Sequence, residues 1–359
     1  MKNILLILVG GTICSTTDKN GVISVNDTAA SELKNHFENG DSPFAKSVHI
    51  DETENLYILS ENITLKKWNE ILRLYNEHIN NKKYDGVIFA HGTDTLGFSA
   101  PLFSLLLSKI NIPVFFVSAN KPLENENSNG HSNFAAAVEL ICREIPPNIY
   151  VAYKNITDNK MYLHFAAHLT QCGNYSEDFY SKTAVNITDF TDQEFTTLFS
   201  SLEKDYPVAE RKSPVDNLAD FSLEKNVLVV NAYPGINYSA YNLDNFSAVL
   251  HTAYHSGTAP AQTESENSLL HFAKRCAEKG VPLYLTPSNP NGEIYESLAT
   301  LKKGEGEINF LYGTTTEMAY AKLLLAASLT QNNNEMQKIM QTTYNSEKIY
   351  TTPTPNQNA

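Results

Sequence analysis

Two short apolar runs, each ending in glycine and threonine, constrain this chain more than any other feature. Residues 4–9 run into Gly10-Gly11-Thr12-Ile13, and residues 87–90 run into His91-Gly92-Thr93-Asp94-Thr95. Each run reads as a buried strand. Each therefore sets a threonine at the carboxyl end of a strand, where open parallel sheets place their ligands. Two threonine hydroxyls beside a carboxylate, carried on two strand ends, have the make-up of a nucleophile site for acyl transfer.

The intervening and following sequence supports a parallel sheet. Residues 65–79 repeat with helical period and put Trp68, Ile71, Leu72 and Tyr75 on one stripe. Helices are expected over 97–108 and 133–143, and strands over 114–117 and 149–153. Strands separated by helices of this length imply right-handed βαβ units. Charges with Pro207 and Pro214 interrupt the rhythm at 203–221, after which it resumes. Strands are expected at 227–230, 248–254 and 282–285, with helices at 265–279 and 316–328. The expected division is an N-terminal catalytic α/β domain over 1–202, a linker over 203–222, a smaller C-terminal α/β domain over 223–330, and a terminal helix and tail over 331–359.

At 359 residues the chain has length for two domains with separate cores. Its net charge of −13 argues against a nucleic-acid partner, which calls for a basic face. The short apolar N-terminus lacks a cleavage site and reads as a strand rather than a signal peptide. No stretch reaches the roughly 18 apolar residues of a membrane helix. Cys14, Cys142, Cys172 and Cys276 show no C-x-x-C spacing and read as free thiols, which points to the cytoplasm. The histidines lack ligand spacing, so no metal is expected, and Gly10-Gly11-Thr12 is not a dinucleotide fingerprint, so no cofactor is expected.

The two threonine motifs, in their spacing and their distance from the N-terminus, resemble those of the bacterial-type L-asparaginases, closest to the cytoplasmic type I members. Tyr233-Pro234-Gly235 and the turn His255-Ser256-Gly257-Thr258-Ala259-Pro260 are similar to turns of the same family. The resemblance covers residues 4 to about 330. It implies a two-domain α/β fold with a larger, mainly parallel N-terminal sheet. It also implies hydrolysis of the side-chain amide of L-asparagine through an acyl-threonine intermediate, without cofactor, in a homodimer or a dimer of dimers.

By this resemblance Thr12 is the nucleophile, Thr93 serves the second step, and Asp94 grips the substrate α-amino group. Leu59-Ser60-Glu61-Asn62 matches a substrate-binding turn, with Ser60 for the α-carboxylate and Glu61 for the α-amine. Ser118-Ala119-Asn120-Lys121-Pro122 matches a loop whose backbone at Ala119 faces the scissile amide. Thr12 and the turn at 59–62 each have a plainer reading as a helix or turn cap, and His91 reads as structural. The chain departs from the family where a loop tyrosine is expected and Val22 stands, and where an activating lysine is expected and Gln171 stands. Asn62 and Asn129 replace acids. A glutamine cannot accept a proton as an amine can. The alternative is therefore a weakened, asparaginase-like protein that binds asparagine, aspartate or a related amide. The asparaginase-like component of a tRNA-dependent amidotransferase is disfavoured, because such components carry an extra N-terminal domain and this chain is acidic with Thr12 almost at its terminus.

Overall fold

The computed structural model describes residues 1–265, 267–288, 295–303 and 307–349. The chain forms two compact units, one of Met1–Ser222 with Tyr344–Ser346, the other of Leu223–Thr343 with the segment from Glu347.

The first unit is built in the order β1 (Lys2–Leu8), β2 (Ser15–Thr17), β3 (Ile23–Val25), α1 (Ala29–Glu38), β4 (Val48–Glu52), α2 (Leu65–Asn81), β5 (Gly86–Ala90) and α3 (Leu96–Leu106). It continues with β6 (Val114–Val117), α4 (Gly130–Cys142), β7 (Ile149–Lys154), β8 (Met161–Phe165), β9 (Val185–Asn186) and α5 (Asp192–Asp205). Its seven-stranded sheet runs β4-β1-β5-β6-β7-β8-β9. The pairs from β4 to β7 are parallel, and β8 and β9 close one edge antiparallel. The apolar run at the N-terminus is β1, with Ile4 to Leu8 almost wholly buried because helices cover both faces.

Local chemistry explains where the helices begin. The Thr64 hydroxyl accepts the Lys67 N–H at the start of α2, and Trp68, Ile71, Leu72, Leu74 and Tyr75 turn inward. The Trp68 indole donates to Ser99 Oγ at 2.8 Å, tying α2 to α3. Helix α3 is buried almost all round, which accounts for its near absence of charge. Phe89 and Phe116 stack at 4.7 Å beneath it, with Phe103 tilted against Phe89 and edge-on to Phe116.

The second unit holds β10 (Val227–Asn231), β11 (Ala248–Thr252), α6 (Leu269–Glu278), β12 (Leu283–Ser288), α7 (Glu296–Lys303), β13 (Ile308–Tyr312), α8 (Thr316–Leu329) and α9 (Asn333–Gln341). Among the described residues it carries a parallel four-stranded sheet in the order β10-β11-β12-β13. Of the terminal helix and tail expected at 331–359, α9 is described and residues 350–359 lie outside the described residues.

Several elements differ from expectation. β4 and α1, like β2, β3, β8, β9, β13, α5 and α7, have no counterpart among the elements expected from the sequence. β4 is an edge strand with Ile50 as its one buried residue, so it shows no apolar run. α1 buries Ala29, Ala30, Leu33 and Phe37, a helical spacing present in the sequence but short. The expected helix at 265–279 starts at Leu269, where Ser268 caps it. The stretch expected as linker is partly ordered on the first unit: α5 runs to Asp205, and the Arg211 guanidinium donates to the carbonyls of Pro147 and Tyr206.

Candidate active site

The carboxyl ends of β1 and β5 lie side by side, because Leu8 pairs with Ala90 and the N–H groups of Val9 and Gly10 both donate to the Ala90 carbonyl. Beyond Leu8 the chain turns through Gly10 and Gly11, both at positive φ (132° and 74°), into a single turn of 3-10 helix at Thr12–Cys14. The Gly11 N–H donates to Ile58 O at 2.8 Å, which brings in the turn that carries Ser60. From the other side the Thr95 hydroxyl donates to the Ser60 carbonyl at 3.0 Å. Three segments therefore converge: the loop of Thr12, the turn of Ser60 and the loop of Thr93.

Their approach is close enough to require glycine. A Cβ on Gly11 would lie 2.1 Å from the Gly92 Cα, and one on Gly92 would lie 2.5 Å from Ser60 Oγ. Gly11→Ala combines a left-handed φ with a backbone collision that no side-chain rotation relieves. We expect it to cost about 2–4 kcal/mol, read as a lower urea midpoint, together with loss of ligand binding.

The structure thus brings the expected residues Thr12, Ser60, Thr93 and Asp94 to one place. Thr12 and Thr93 are half-buried, Ser60 is buried, and Asp94 and Glu61 are exposed. Ala119 lies on the loop after β6, the neighbouring strand, whose Val117 carbonyl accepts the His91 N–H at 2.9 Å. The whole residue is buried.

The departures also have definite places. The Gln171 side chain donates from Nε2 to the Asp94 carbonyl at 2.9 Å, directly on the second threonine loop. Among the described residues, no lysine ammonium is hydrogen-bonded to Thr93. Val22 sits at the turn of the β2–β3 hairpin, 58% exposed, where Asp18 accepts the N–H groups of Asn20 and Val22. Asn129 pairs reciprocally with Asn120 and donates from Nδ2 to the Lys154 carbonyl at 2.8 Å. An ionised aspartate cannot make that last bond, which gives the substitution a physical reason. Sequence reasoning assigns no role to Thr95 or to the Asn120–Asn129 pair. A hydroxyl inside the threonine motif is the available signal for Thr95, and nothing local marks the asparagine pair.

Other reactive groups in the neighbourhood are quenched. Burial pushes the Cys14 thiol up to about 12, so it stays protonated at neutral pH. His91 is completely buried, its Nδ1 donates to the Gly92 carbonyl at 2.7 Å, and desolvation lowers its pKa to about 4. Elsewhere in the chain, burial also lowers His164, and His251 of the second unit, to about 4. Unfolding would return all three to roughly 6.5, so between those values the unfolded chain binds protons that the folded chain does not. Stability therefore falls as pH drops from about 6.5 toward 4. Urea titrations at stepwise pH should show the midpoint declining through this window, with a shallower decline for His91→Gln. A midpoint flat across it would contradict the assignment of these rings as buried and neutral.

Among the described residues, no group of three or more His, Cys, Asp or Glu side chains is arranged to hold a metal ion. All four cysteines are free, and no described helix is long and apolar enough to cross a membrane.

Two strand-end loops meeting over a parallel sheet, with hydroxyls and a carboxylate at the junction, define an α/β protein of the amidohydrolase type. The chain belongs to the asparaginase family: the model of the family's N-terminal domain matches residues 3–195. In overall fold it is similar to the thermostable L-asparaginase from Thermococcus kodakarensis, with a TM-score of 0.72 at 20% identity, covering 98% of this chain and 100% of that one. It is comparably similar to L-asparaginase I from Vibrio cholerae, with a TM-score of 0.70 at 21% identity over 97% and 99% of the two chains.

Among curated relatives, the chain is 25% identical to a glutamyl-tRNA(Gln) amidotransferase subunit from Pyrococcus abyssi over 297 residues, 81% of this chain and 65% of that protein. It is 24% identical to the glutamyl-tRNA(Gln) amidotransferase subunit of the same name from Methanosphaera stadtmanae over 359 residues, 96% of this chain and 76% of that protein. The chain thus spans just under two thirds of the first relative's length. The resemblance to type I asparaginases holds in fold and family, while these relatives bear the name of the amidotransferase component that the sequence argument disfavours.

Proposed function

We propose that this protein hydrolyses the side-chain amide of L-asparagine to L-aspartate and ammonia, with Thr12 as nucleophile. The observation that carries this reading is the convergence of Gly11-Thr12, Ser60 and Gly92-Thr93-Asp94 at the ends of β1 and β5. In this reading the Thr12 hydroxyl attacks the amide carbon beside the glycine turn, whose own Gly10 and Gly11 N–H groups are held by the Ala90 and Ile58 carbonyls. The threonine proton passes to the amide nitrogen as the C–N bond breaks and ammonia leaves, and water beside Thr93 then cleaves the acyl-threonine ester, freeing aspartate and restoring the Thr12 hydroxyl. Ser60 takes the substrate α-carboxylate, Glu61 and Asp94 hold the α-ammonium, and the Ala119 backbone faces the amide.

A second reading is a binder of asparagine or aspartate with little turnover, favoured by Gln171 standing on the Thr93 loop where an activating amine is expected. The names of the curated relatives also make L-glutamine a necessary second substrate to test. The site chemistry does not discriminate strongly between the two amides, since one methylene is worth only about 1–3 kcal/mol. Ammonia release from both amides, with Thr12→Ala alongside, is the deciding experiment. Release from asparagine that the variant loses supports the hydrolase. No release, with asparagine or aspartate still raising the Tm, leaves the binder. Release from glutamine alone moves the protein to a glutaminase role. The four free thiols support a cytoplasmic address, and the family resemblance supports a homodimer or dimer of dimers, which sedimentation would test.

A further inference from the structure

Thr95 stands immediately before α3, where a threonine ordinarily turns its side-chain oxygen back to accept an N–H of the first helical turn. Here it does not. The start of α3 has no side-chain cap, and the Phe98 and Ser99 N–H groups bond the Thr95 carbonyl. The half-buried hydroxyl is spent elsewhere, donating its proton to the Ser60 carbonyl at 3.0 Å. The two residues are 35 positions apart, so the bond serves a meeting of segments and not the helix. An ionised aspartate, equally suited to a helix start, has no proton to give a carbonyl.

What this bond holds is a serine whose own hydroxyl is idle. Ser60 is 5% exposed, yet among the described residues its hydroxyl has no hydrogen-bond partner in the protein. Its side chain lies against the Gly92 backbone, where a Cβ would come within 2.5 Å of Ser60 Oγ and 2.6 Å of Ser60 Cβ. The turn is tied to the loop after β1 through Ile58, which donates its N–H to Val9 O and accepts the Gly11 N–H. Its tie to the loop after β5 is the Thr95 bond. Asp94, the neighbour of Thr95 in that loop, has its carbonyl held separately by Gln171 Nε2 at 2.9 Å. The Asp94 backbone is thus set, and the Thr95 hydroxyl brings Ser60 to it.

We propose that Thr95 is a positioning residue that sets the gap between Ser60 and Asp94, so that one ligand carbon bearing a carboxylate and an ammonium is met at both groups together. This rests on the roles of Ser60 and Asp94 given under the proposed function, and it holds for a hydrolase and a binder alike. In an α-amino acid the two charged groups share one carbon, so covalent geometry fixes their separation. The Ser60 hydroxyl and the Asp94 carboxylate add their effects only if they are held at that separation before the ligand arrives. A turn free to drift would let either group engage, but not both. The Thr95 hydroxyl touches no ligand and acts through Ser60.

The test is L-aspartate binding to the full chain by calorimetry, in the wild type, Thr95→Val, Thr95→Ser, Ser60→Ala and the Ser60→Ala/Thr95→Val double variant, with the Tm of each. Valine keeps the shape of threonine, and the lost hydroxyl caps nothing, so the Tm of Thr95→Val should change little. Its affinity for L-aspartate should fall about fivefold or more, and Thr95→Ser should restore most of the loss. In the Ser60→Ala background the same valine should cost less than about twofold, because the group it positions is gone. Without ligand, amide exchange in Thr95→Val should quicken over 58–63 and stay unchanged over α3. Unchanged affinity in Thr95→Val, an equal loss with and without Ser60, or faster exchange through α3 as well would each overturn the proposal. Failure of the wild type to bind L-aspartate would overturn the reading of the site, and the proposal with it, before any variant is compared.

Discussion

Replacing Thr12 by valine is expected to lower ammonia release from L-asparagine by about 10³-fold or more while leaving the fold intact. Valine keeps the branched shape of threonine and removes only the hydroxyl, and loss of a nucleophile in covalent catalysis has effects of this order or larger. Among the described residues the Thr12 hydroxyl is in no hydrogen bond with the protein, so the substitution breaks nothing structural. The neighbouring bonds that build the turn, Cys14 N–H and Ser15 hydroxyl to the Gly11 carbonyl, are untouched. Thr12→Ser should retain measurable activity because it keeps a hydroxyl in place. Steady-state kinetics with urea unfolding on the same samples separate chemistry from stability. Full activity in Thr12→Val would remove Thr12 as nucleophile and turn attention to Thr93.

The opposite effect is expected from Gln171→Lys, a gain of about 10²-fold in kcat with little change in KM. A positioned base contributes on the order of 10²–10⁴ in rate, and Gln171 already rests against the Asp94 carbonyl at 2.9 Å. An amine at this position, once neutral, accepts a proton from the threonine hydroxyl or its water. The variant's kcat should rise with pH as the ammonium loses its proton, a limb that the wild type lacks. The packing is tight, since a Cβ on Gly97 would lie 2.3 Å from Gln171 Oε1, so Gly97 must stay glycine in this variant. An unchanged kcat with an unchanged Tm would show that proton transfer does not depend on this position.

How far the sequence can be read follows from where its signals are physical and local. The strands β1 and β5 and their threonine loops are legible because burial on both faces writes a continuous apolar run. Helix α2 is legible from one stripe, and its Thr64 cap from a hydroxyl before the apolar period. β4 is not, since an edge strand with a single buried side chain has no pattern to show. At the site, Ser60 and Gly92 are visible as motif residues, but their contact depends on chain segments some thirty positions apart. Asn129 looks like the loss of an acid, yet its amide makes a bond that a carboxylate cannot. Such roles are defined by a distant carbonyl, here that of Lys154, and leave no mark in the residues beside them.

The placing of β1 has a consequence for how this protein comes off the ribosome. Strand β1 is made before both of its partners, Lys2 pairing with Val48 and Ile4 with Gly86, so one of its hydrogen-bonding edges stays open until β5 has been translated. At ~5–20 residues per second, the later partner follows β1 by roughly 4–17 seconds. Through that interval a run from Ile4 to Val9, sealed in the finished protein, remains open to other chains. The residues of β1 that frame the candidate site thus also need shelter during synthesis. Slow codons before residue 90 would prolong the hazard, and a holdase acting on nascent chains would shorten its effects.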